Sequence, residues 1–306
     1  MSAKSELLDR LKYLDTAVEN EALIEIGVDP TTDHNGASNL LRKGLGIVAF
    51  NILEDFIKNK TSEALENISD SGISFQNLTQ KLQEAATLGA VSALQFRAKI
   101  EKKDGNDWMN LIHEESIKIH STTSDNFQIS SLSLVSANSN ISENEVTELM
   151  KAFGISGGWV TLKNISDNIS GGVADLCQAY KYAAERRHSS AHVANFKYEY
   201  TWLSAIKIEL IAIAASLDIS LTAMCRAIFK DSSKDVSEHN IGCTLNFRFL
   251  EQEGLIYRET RVVGGRSSKN WDSLDSALSR LRPQLPINDE FLTVLNRRKR
   301  IIDWYN

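Results

Sequence analysis

Apolar residues recur at spacings of three and four over much of this chain, a periodicity typical of amphipathic helices. It predicts an N-terminal helix within residues 5–26 and further helices over residues 41–57 and 79–100. Ser142 and Glu145 form a capping-box pattern, which predicts that another helix begins there. Because only three prolines interrupt the 306 residues, the chain is predicted to be mainly α-helical.

Two apolar stripes flank a short polar segment in the middle of the chain. The second stripe covers residues 193–217, and the first has the members Val173, Leu176, Tyr180 and Ala184. The next position of the first stripe is Arg187, and His192 lies at the edge of the second, so both side chains are expected to face packed protein. Residues five apart on one helix lie about 140° apart around its axis, so the two side chains diverge unless the helix breaks between them. Ser189 and Ser190 supply N-cap side chains for such a break.

The combination of an arginine and a histidine in this segment favours phosphate chemistry. A buried guanidinium is costly unless an anion or other hydrogen-bond acceptor meets it, and a phosphate would serve. Histidine titrates near neutral pH, so His192 is suited to act as a general acid or base beside a bound phosphodiester.

Three other interpretations of this segment stay open. Arg187 and His192 also fit an ion pair or a hydrogen-bonded core histidine, with Glu185 as the partner. His188 and His192, four residues apart, share a helix face that suits zinc, although the sequence shows no Cys-rich or His-rich partner motif. A nucleophilic serine would lack the Gly-flanked elbow of a hydrolase. No metal and no cofactor are therefore predicted.

Charge and cysteine content narrow the classes of function. The net charge of −6 argues against a general nucleic-acid coat protein, because nonspecific binding rests on surplus Lys and Arg. The charge is uneven, since residues 221–306 carry 14 Lys or Arg against 11 Asp or Glu. The first residues resemble no secretory signal, and the apolar run over residues 206–217 is too short to span a bilayer. Three scattered cysteines are typical of reduced thiols in a cytosolic protein: Cys177, Cys225 and Cys243.

The pattern changes in the last third of the chain. Residues 221–229 and 236–253 are predicted to be helices, and residues 254–259 and 267–271 to be the strands of a hairpin. This is the order of a winged helix, and residues 245–256 resemble a recognition helix that leads into the wing. The alternative is that the module packs against a protein partner or a second subunit. The wing would carry four basic residues suited to DNA phosphates, namely Arg258, Arg261, Arg266 and Lys269.

The central polar segment resembles the signature of the HEPN superfamily, which is an Arg followed by four to six residues and a His. Arg187 fits with four residues before His192, and Arg186 fits with five. Residues 46–57 resemble the first core helix of the RiboL-PSP type of HEPN domain, and residues 143–155 resemble a later one.

This resemblance implies a metal-independent endoribonuclease, often a toxin or an antiviral defence effector. Such enzymes work as homodimers in which the motifs of both subunits face one cleft. The 2′-hydroxyl of the RNA attacks the adjacent phosphate and leaves a 2′,3′-cyclic phosphate. The roles that the resemblance implies are proton transfer for His192, contact with the phosphate for Arg187 and polar assistance for His188.

Four further residues are expected to support this site: Glu54, Asp55, Arg186 and Ser190. An acid at the place of Glu54 and Asp55 recurs in the resembling family, although a solvated pair on the helix surface is the other interpretation. The expected partners are RNA, a second copy of the chain, an antitoxin or defence-system protein, and DNA at the C-terminal module. The alternative function is a non-catalytic HEPN adaptor or regulator that dimerises and binds DNA or protein through that module.

The expected fold is mainly α, a HEPN-like helical bundle with a C-terminal winged-helix-like α+β module. We expect an N-terminal helix and linker over residues 1–36 and the HEPN-like domain over residues 37–220. The winged-helix-like module is expected over residues 221–284, and a basic C-terminal helix or tail over residues 285–306. The expected location is the cytoplasm, with no membrane contact.

Overall fold

The computed structural model describes residues 2–134, 140–241 and 245–306. Its α-helices are α1 (Ala3–Val18), α2 (Asp33–Asp70), α3 (Gln80–Glu84), α4 (Ala90–Lys103), α5 (Trp108–Ser121), α6 (Glu143–Ala152), α7 (Trp159–Asn168), α8 (Leu176–His192), α9 (Tyr200–Lys230), α10 (Leu274–Leu281) and α11 (Leu285–Asn288). Its strands are β1 (Asn246–Glu253), β2 (Ile256–Thr260), β3 (Lys269–Trp271), β4 (Glu290–Leu295) and β5 (Ile301–Tyr305). The predicted mainly α fold with a C-terminal α+β module is confirmed. Cys243 and residues 135–139, part of a serine-rich stretch, lie outside the described residues.

The chain forms two compact units. The first contains Met1–Phe56, Leu162–Ser216 and Asn246–Asn306, and therefore α1, α8 and the whole β-sheet. The second contains Ile57–Thr161 and Leu217–Leu245, and therefore α3 to α6. All the residues predicted for the catalytic site belong to the first unit.

Polar side chains form N-caps at the start of two of the predicted helices. The capping box at the start of α6 is confirmed, because the Ser142 hydroxyl accepts from the Glu145 amide and the Glu145 carboxylate accepts from the Ser142 amide. At the start of α8, the Asp175 side chain accepts from the Gln178 amide at 2.9 Å. Both caps satisfy amides that have no partner within the helix.

Helix α9 joins what the sequence divides into two helices. The apolar stripe over residues 193–217 and the helix predicted over residues 221–229 form one helix from Tyr200 to Lys230, and residues 193–199 connect it to α8. This helix is long and apolar enough to cross a membrane, but 83% of its most apolar window is buried inside the protein. That burial is typical of the core helix of a soluble domain.

The second unit is held partly by a buried ion pair. The Lys60 ammonium lies 2.8 Å from the Asp218 carboxylate, and both side chains are almost inaccessible to solvent. Burial alone would lower the pKa of Lys60, but the charge and hydrogen bond of Asp218 raise it above its ordinary value. A buried lysine thus keeps its charge because its partner is buried with it.

The C-terminal strands form one sheet in the order β3-β2-β1-β4-β5. Strands β1 and β4 are parallel, and the other neighbouring pairs are antiparallel. The helix predicted over residues 236–253 is wrong, because Asn246–Glu253 is the central strand β1. The resemblance to a winged helix is therefore limited to the α+β composition and the β2–β3 hairpin. One side of the sheet packs against α10 and α11 through Leu250, Trp271, Ala277, Leu281, Leu285, Leu292 and Val294.

A buried arginine ties three of these strands together. The Arg248 guanidinium donates to Glu259 of β2 at 2.6 Å and to Glu290 of β4 at 2.6 and 3.0 Å. The Trp271 indole also donates to Glu259, at 3.0 Å. Burial alone would raise the pKa of Glu290, but hydrogen bonds from Arg261 and Arg248 lower it below its ordinary value.

Residues 285–306 do not form the basic helix or tail that we expected. They contain α11 and the antiparallel hairpin of β4 and β5, and the basic residues 297–300 lie in its turn. The Asn296 side chain holds this turn by accepting from the amides of Arg298 and Arg300. Trp304 of β5 is fully buried and meets Phe56 of α2 edge to face, with ring centroids 6.5 Å apart.

Within the first unit, α8 is packed against α2. Phe50 of α2 and Tyr180 of α8 meet edge to face with ring centroids 5.5 Å apart. In the connection from α8 to α9, Tyr198 is completely buried against Gly46 of α2. A Cβ atom at residue 46 would lie 2.7 Å from Cζ and 2.9 Å from the hydroxyl oxygen of Tyr198. Glycine at this position therefore permits the close approach.

The contact between Gly46 and Tyr198 predicts opposite effects for two alanine substitutions in α2. Gly46→Ala should lower the free energy of unfolding by about 1–3 kcal/mol, the usual cost of overpacking a core. Gly44→Ala is the matched control, because nothing lies within 4 Å of its added Cβ. It should raise stability by about 1 kcal/mol through helix propensity. Urea unfolding of both variants tests this, and equal stability of the two would contradict it.

Candidate active site

Arg187, His188 and His192 all lie on α8, which continues without interruption through His192. The helix break predicted between Arg187 and His192 is therefore wrong. The amide of Val193 still donates to the carbonyl of Ser189, at 2.9 Å, and the backbone leaves the helical conformation only at Val193. The arginine and the histidine therefore point about 140° apart around one helix axis.

The two histidines face solvent. Both His188 and His192 are exposed, and their ring centroids lie 4.7 Å apart with an interplanar angle of 50°. The expectation that His192 faces packed protein is wrong, because its four-residue spacing from His188 places both rings on the outer face of α8. The inner face consists of Leu176, Ala179, Tyr180, Ala183 and Ser190.

Arg187 lies at the boundary between the inner face and solvent. Its side chain is half-buried, and its Nε atom is buried without a hydrogen-bond acceptor among the described residues. Three residues further on, the Ser190 hydroxyl is also buried without a partner in this part of the chain. An unsatisfied buried donor costs about 1–3 kcal/mol, so an acceptor from a ligand would stabilise this position.

Arg186 is held by aromatic rings. Its Cζ atom lies 4.8 Å from the ring centroid of Trp202 and 5.6 Å from that of Tyr182. Its charge also acts on the buried Tyr198 and on the half-buried Glu209. Burial raises the pKa of Tyr198 to about 12 and raises the pKa of Glu209, and in both cases Arg186 opposes the shift. Neither the Tyr198 hydroxyl nor Oε2 of Glu209 has a hydrogen-bond partner within the described residues.

Glu54 and Asp55 have different surroundings. Glu54 is buried in α2, one turn after Phe50, whereas Asp55 is partly exposed and accepts from Arg10 of α1 at 2.7 Å. The interpretation of the two acids as a solvated surface pair is therefore wrong. Glu54 lies on the face of α2 that packs against Tyr180 of α8, since residues four apart share a helix face.

Two residues of α2 that the sequence did not single out hold the end of α8. Lys43 donates to the carbonyl oxygens of Val193 and Ala194 at 3.0 and 3.3 Å, a favourable position for a cation at a helix C-terminus. The Asn39 side chain donates to the carbonyl of Phe196 and accepts from the amide of Tyr198. The signal in the sequence was their spacing of four, just before Gly46.

The basic residues of the predicted wing lie on the sheet and are not brought to α8. Arg258 lies 3.4 Å from Glu253, Arg261 pairs with Glu290, and Lys269 lies over the ring of Trp271. Arg266 is exposed in the connection between β2 and β3. No hydrogen bond or ion pair joins these four residues to α8 in the described ranges.

The histidine pair does not form part of a larger group of metal-binding side chains. Among residues 2–134, 140–241 and 245–306, no three His, Cys, Asp or Glu residues lie together in a way that would hold a metal ion. The zinc interpretation of His188 and His192 therefore lacks the third ligand that it requires.

Fold and site together define a helical domain that carries an Arg-x4-His motif at the exposed end of a core-packed helix. Residues 5–222 match the family model described as RiboL-PSP-HEPN, and the match includes α1 and most of α9. The chain belongs to the RiboL-PSP-HEPN family. The comparisons with curated proteins and with solved structures gave no match.

The partial burial of Glu209 predicts that replacing it with glutamine changes the stability of the protein in a pH-dependent way. Because its folded-state pKa is raised, the folded protein binds this proton more tightly than the unfolded chain, and stability is lost as pH rises through the folded pKa. Glu209→Gln should therefore raise the melting temperature at pH 7, and the gain should shrink as the pH falls toward the ordinary carboxyl pKa. Exposed Glu199→Gln is the control and should have little effect. A gain that does not change with pH would contradict this explanation.

Proposed function

We propose that this protein is a metal-independent endoribonuclease that acts as a homodimer. The observation that carries the proposal is the exposed pair of His188 and His192 beside the incompletely satisfied Arg187, at the end of α8 in a chain of the RiboL-PSP-HEPN family. An imidazole that can transfer protons and a guanidinium that can bind a phosphate are the two groups that RNA cleavage by its own 2′-hydroxyl requires.

The proposed reaction needs two proton transfers. The 2′-oxygen loses its proton to a base and forms a bond to the adjacent phosphorus, while the bond to the 5′-oxygen breaks and that oxygen takes up a proton. His192 would carry the proton transfer, with His188 beside it, and Arg187 would stabilise the charge on the phosphate. Acid–base catalysis contributes about 10²- to 10⁴-fold, and preorganised charge contributes a comparable or larger factor.

The geometry of α8 favours the participation of a second copy. On one continuous helix, Arg187 and His192 point about 140° apart, so a single copy does not direct both toward one phosphate. Two copies that pack along the edge of α8 between these two directions would supply an arginine from one and a histidine from the other. Exposed apolar side chains are present on α2 near Lys43, which donates to the carbonyl of Val193 at the end of α8. Leu40 is three residues before Lys43, and Val48 is five residues after it.

The proposal extends to a role as a toxin or an antiviral defence effector in the cytoplasm, restrained by an antitoxin or another defence protein. Its support is the family membership together with Cys177 and Cys225, neither of which forms a disulfide within the described residues. A cell that makes such a ribonuclease needs a restraint on it, and a protein partner is the simplest.

A non-catalytic HEPN adaptor is the second candidate function. The exposure of Arg266 and of the turn over residues 297–300 favours it, because these cations are available to DNA or to an acidic protein. Arg258 and Arg261 support it less, since Glu253 and Glu290 neutralise them. An adaptor would keep its partner when His192 is replaced.

We expect the purified protein to cleave unstructured RNA in the presence of EDTA and to leave 2′,3′-cyclic phosphate ends. His192→Ala should reduce the cleavage rate by at least about 100-fold, because it removes the group that transfers the proton. His113→Ala is the matched control, since His113 is an exposed histidine on α5, in the other unit. Circular dichroism shows whether the variants keep the fold. Unchanged RNA cleavage by His192→Ala would contradict the catalytic role of His192.

If the proposed dimer forms, a charge at Leu40 should lower both the particle mass in solution and the RNA-cleaving activity. Leu40→Asp should reduce the mass measured by light scattering from twice 34.1 kDa to 34.1 kDa and should abolish cleavage, because it places a carboxylate in the apolar contact. Leu255→Asp is the control, since Leu255 is also exposed but lies in the turn between β1 and β2. An active parent of monomeric mass would show that the second copy is not needed.

A further inference from the structure

A column of side chains leads from the α8–α9 connection to the surface beside the histidines. The rings of Phe196 and Trp202 are stacked, with centroids 6.4 Å apart and an interplanar angle of 26°. Arg186 lies over the rings of both Trp202 and Tyr182, with its Cζ atom 4.8 and 5.6 Å from the ring centroids. Tyr182 is 48% exposed. The column therefore ends in an aromatic ring that is open to solvent.

The inner part of this column is fixed before any ligand binds. Phe196 and Trp202 both contact Tyr198, which is completely buried, and the main chain of Phe196 is hydrogen-bonded to Asn39. Arg186 in turn contacts the rings of both Trp202 and Tyr182. A site whose groups are already ordered loses less conformational entropy on binding, so Tyr182 is supported from behind by a rigid stack.

Tyr182 and the two histidines lie on neighbouring outer faces of α8. Ten residues separate Tyr182 from His192, which corresponds to about 80° around the axis and about 15 Å along it. A few nucleotides of an extended RNA strand span that distance. A strand whose scissile phosphate lies at the histidines would therefore pass Tyr182 with a flanking nucleotide.

The charge of this part of the chain favours binding of an RNA strand between the histidines and Tyr182. Residues 181–199 contain four Lys or Arg residues and two Glu residues, whereas the whole chain has a net charge of −6. The cations at the two ends of this segment are Lys181 and Lys197, and Arg186 and Arg187 lie between them. Surplus cations attract the phosphate backbone of RNA without regard to its sequence.

We infer that Tyr182 is the outer face of a stacking platform for an unpaired nucleobase of the RNA substrate, with Arg186 and Trp202 as its inner layers. The choice of RNA as the ligand rests on the proposed ribonuclease function. An unpaired base is required, because only an unstacked base can offer its whole face to an aromatic ring. The platform would select single-stranded RNA and would set which nucleotide lies at the histidines.

The test is RNA binding by the full chain carrying His192→Ala, which prevents turnover of the probe. The probes are a short fluorescent oligoadenylate and an RNA chain of the same length with abasic sites. Adding Tyr182→Leu should weaken oligoadenylate binding roughly 5- to 150-fold, the usual effect of removing one stacked base contact. Tyr182→Phe should bind as tightly as the parent, because it keeps the ring. The abasic chain should bind equally to all variants.

Tyr13→Leu is the matched control, since Tyr13 is an exposed tyrosine on α1 and should not affect binding. Equal oligoadenylate affinity of the parent and Tyr182→Leu would overturn the platform, as would the absence of measurable binding by the parent. Equal losses in Tyr182→Leu and Tyr182→Phe would also overturn it, because the hydroxyl and not the ring would be responsible. A fall in mass by light scattering in Tyr182→Leu would assign the ring to a subunit contact instead.

Cleavage by the protein with His192 intact separates this inference from the proposed function. If Tyr182 is needed for binding but the protein does not cleave RNA, the platform stands and the ribonuclease proposal fails. If the protein cleaves RNA and Tyr182→Leu leaves KM and the cleavage positions unchanged, the ribonuclease proposal stands and the platform fails.

Discussion

The attachment of the α8–α9 connection to α2 is the contact on which the site depends. Tyr198 is packed against Gly46, and Asn39 binds the main chain on both sides of residue 197. Burial of the Tyr198 hydroxyl without a partner in the described chain is unfavourable, so the packing of its ring must outweigh that cost. Because this contact fixes where α8 ends, it also fixes the position of His192.

A straight α8 has a direct consequence for the chemistry. The same helix places Arg187 at the boundary with the protein interior, where its Nε atom is buried, and exposes His188 and His192 to solvent. A kinked helix would bring arginine and histidine together within one copy, and its site would need no second subunit. A straight helix separates them, so under the proposed function the geometry favours a site that two copies form together. If the proposed ribonuclease is built in this way, it is inactive until two copies assemble.

Local signals in the sequence were sufficient for some elements and ambiguous for others. The capping box at Ser142 and the stripe of α8 identify helices, because hydrogen bonds and periodicity of a few residues decide them. The serines at 189 and 190 fit a helix start and a helix interior equally well, and only packing against α2 selects the interior. Strand β1 is buried on both faces, so it lacks the polar alternation of a surface strand, and its parallel pairing with β4 joins residues about 40 apart.

Away from the motif, two buried cations are paired with carboxylates. In the sheet, Arg248 donates to two carboxylates, and in the second unit Lys60 meets Asp218. Near the motif, Arg187 and Glu209 each keep a buried polar atom without a partner among the described residues, as do the uncharged side chains of Ser190 and Tyr198. Native proteins retain such costs mainly where function needs the group unpaired. Of these atoms, Nε of Arg187 is a donor that an acceptor from outside the chain would satisfy, and under the proposed function that acceptor is an RNA phosphate.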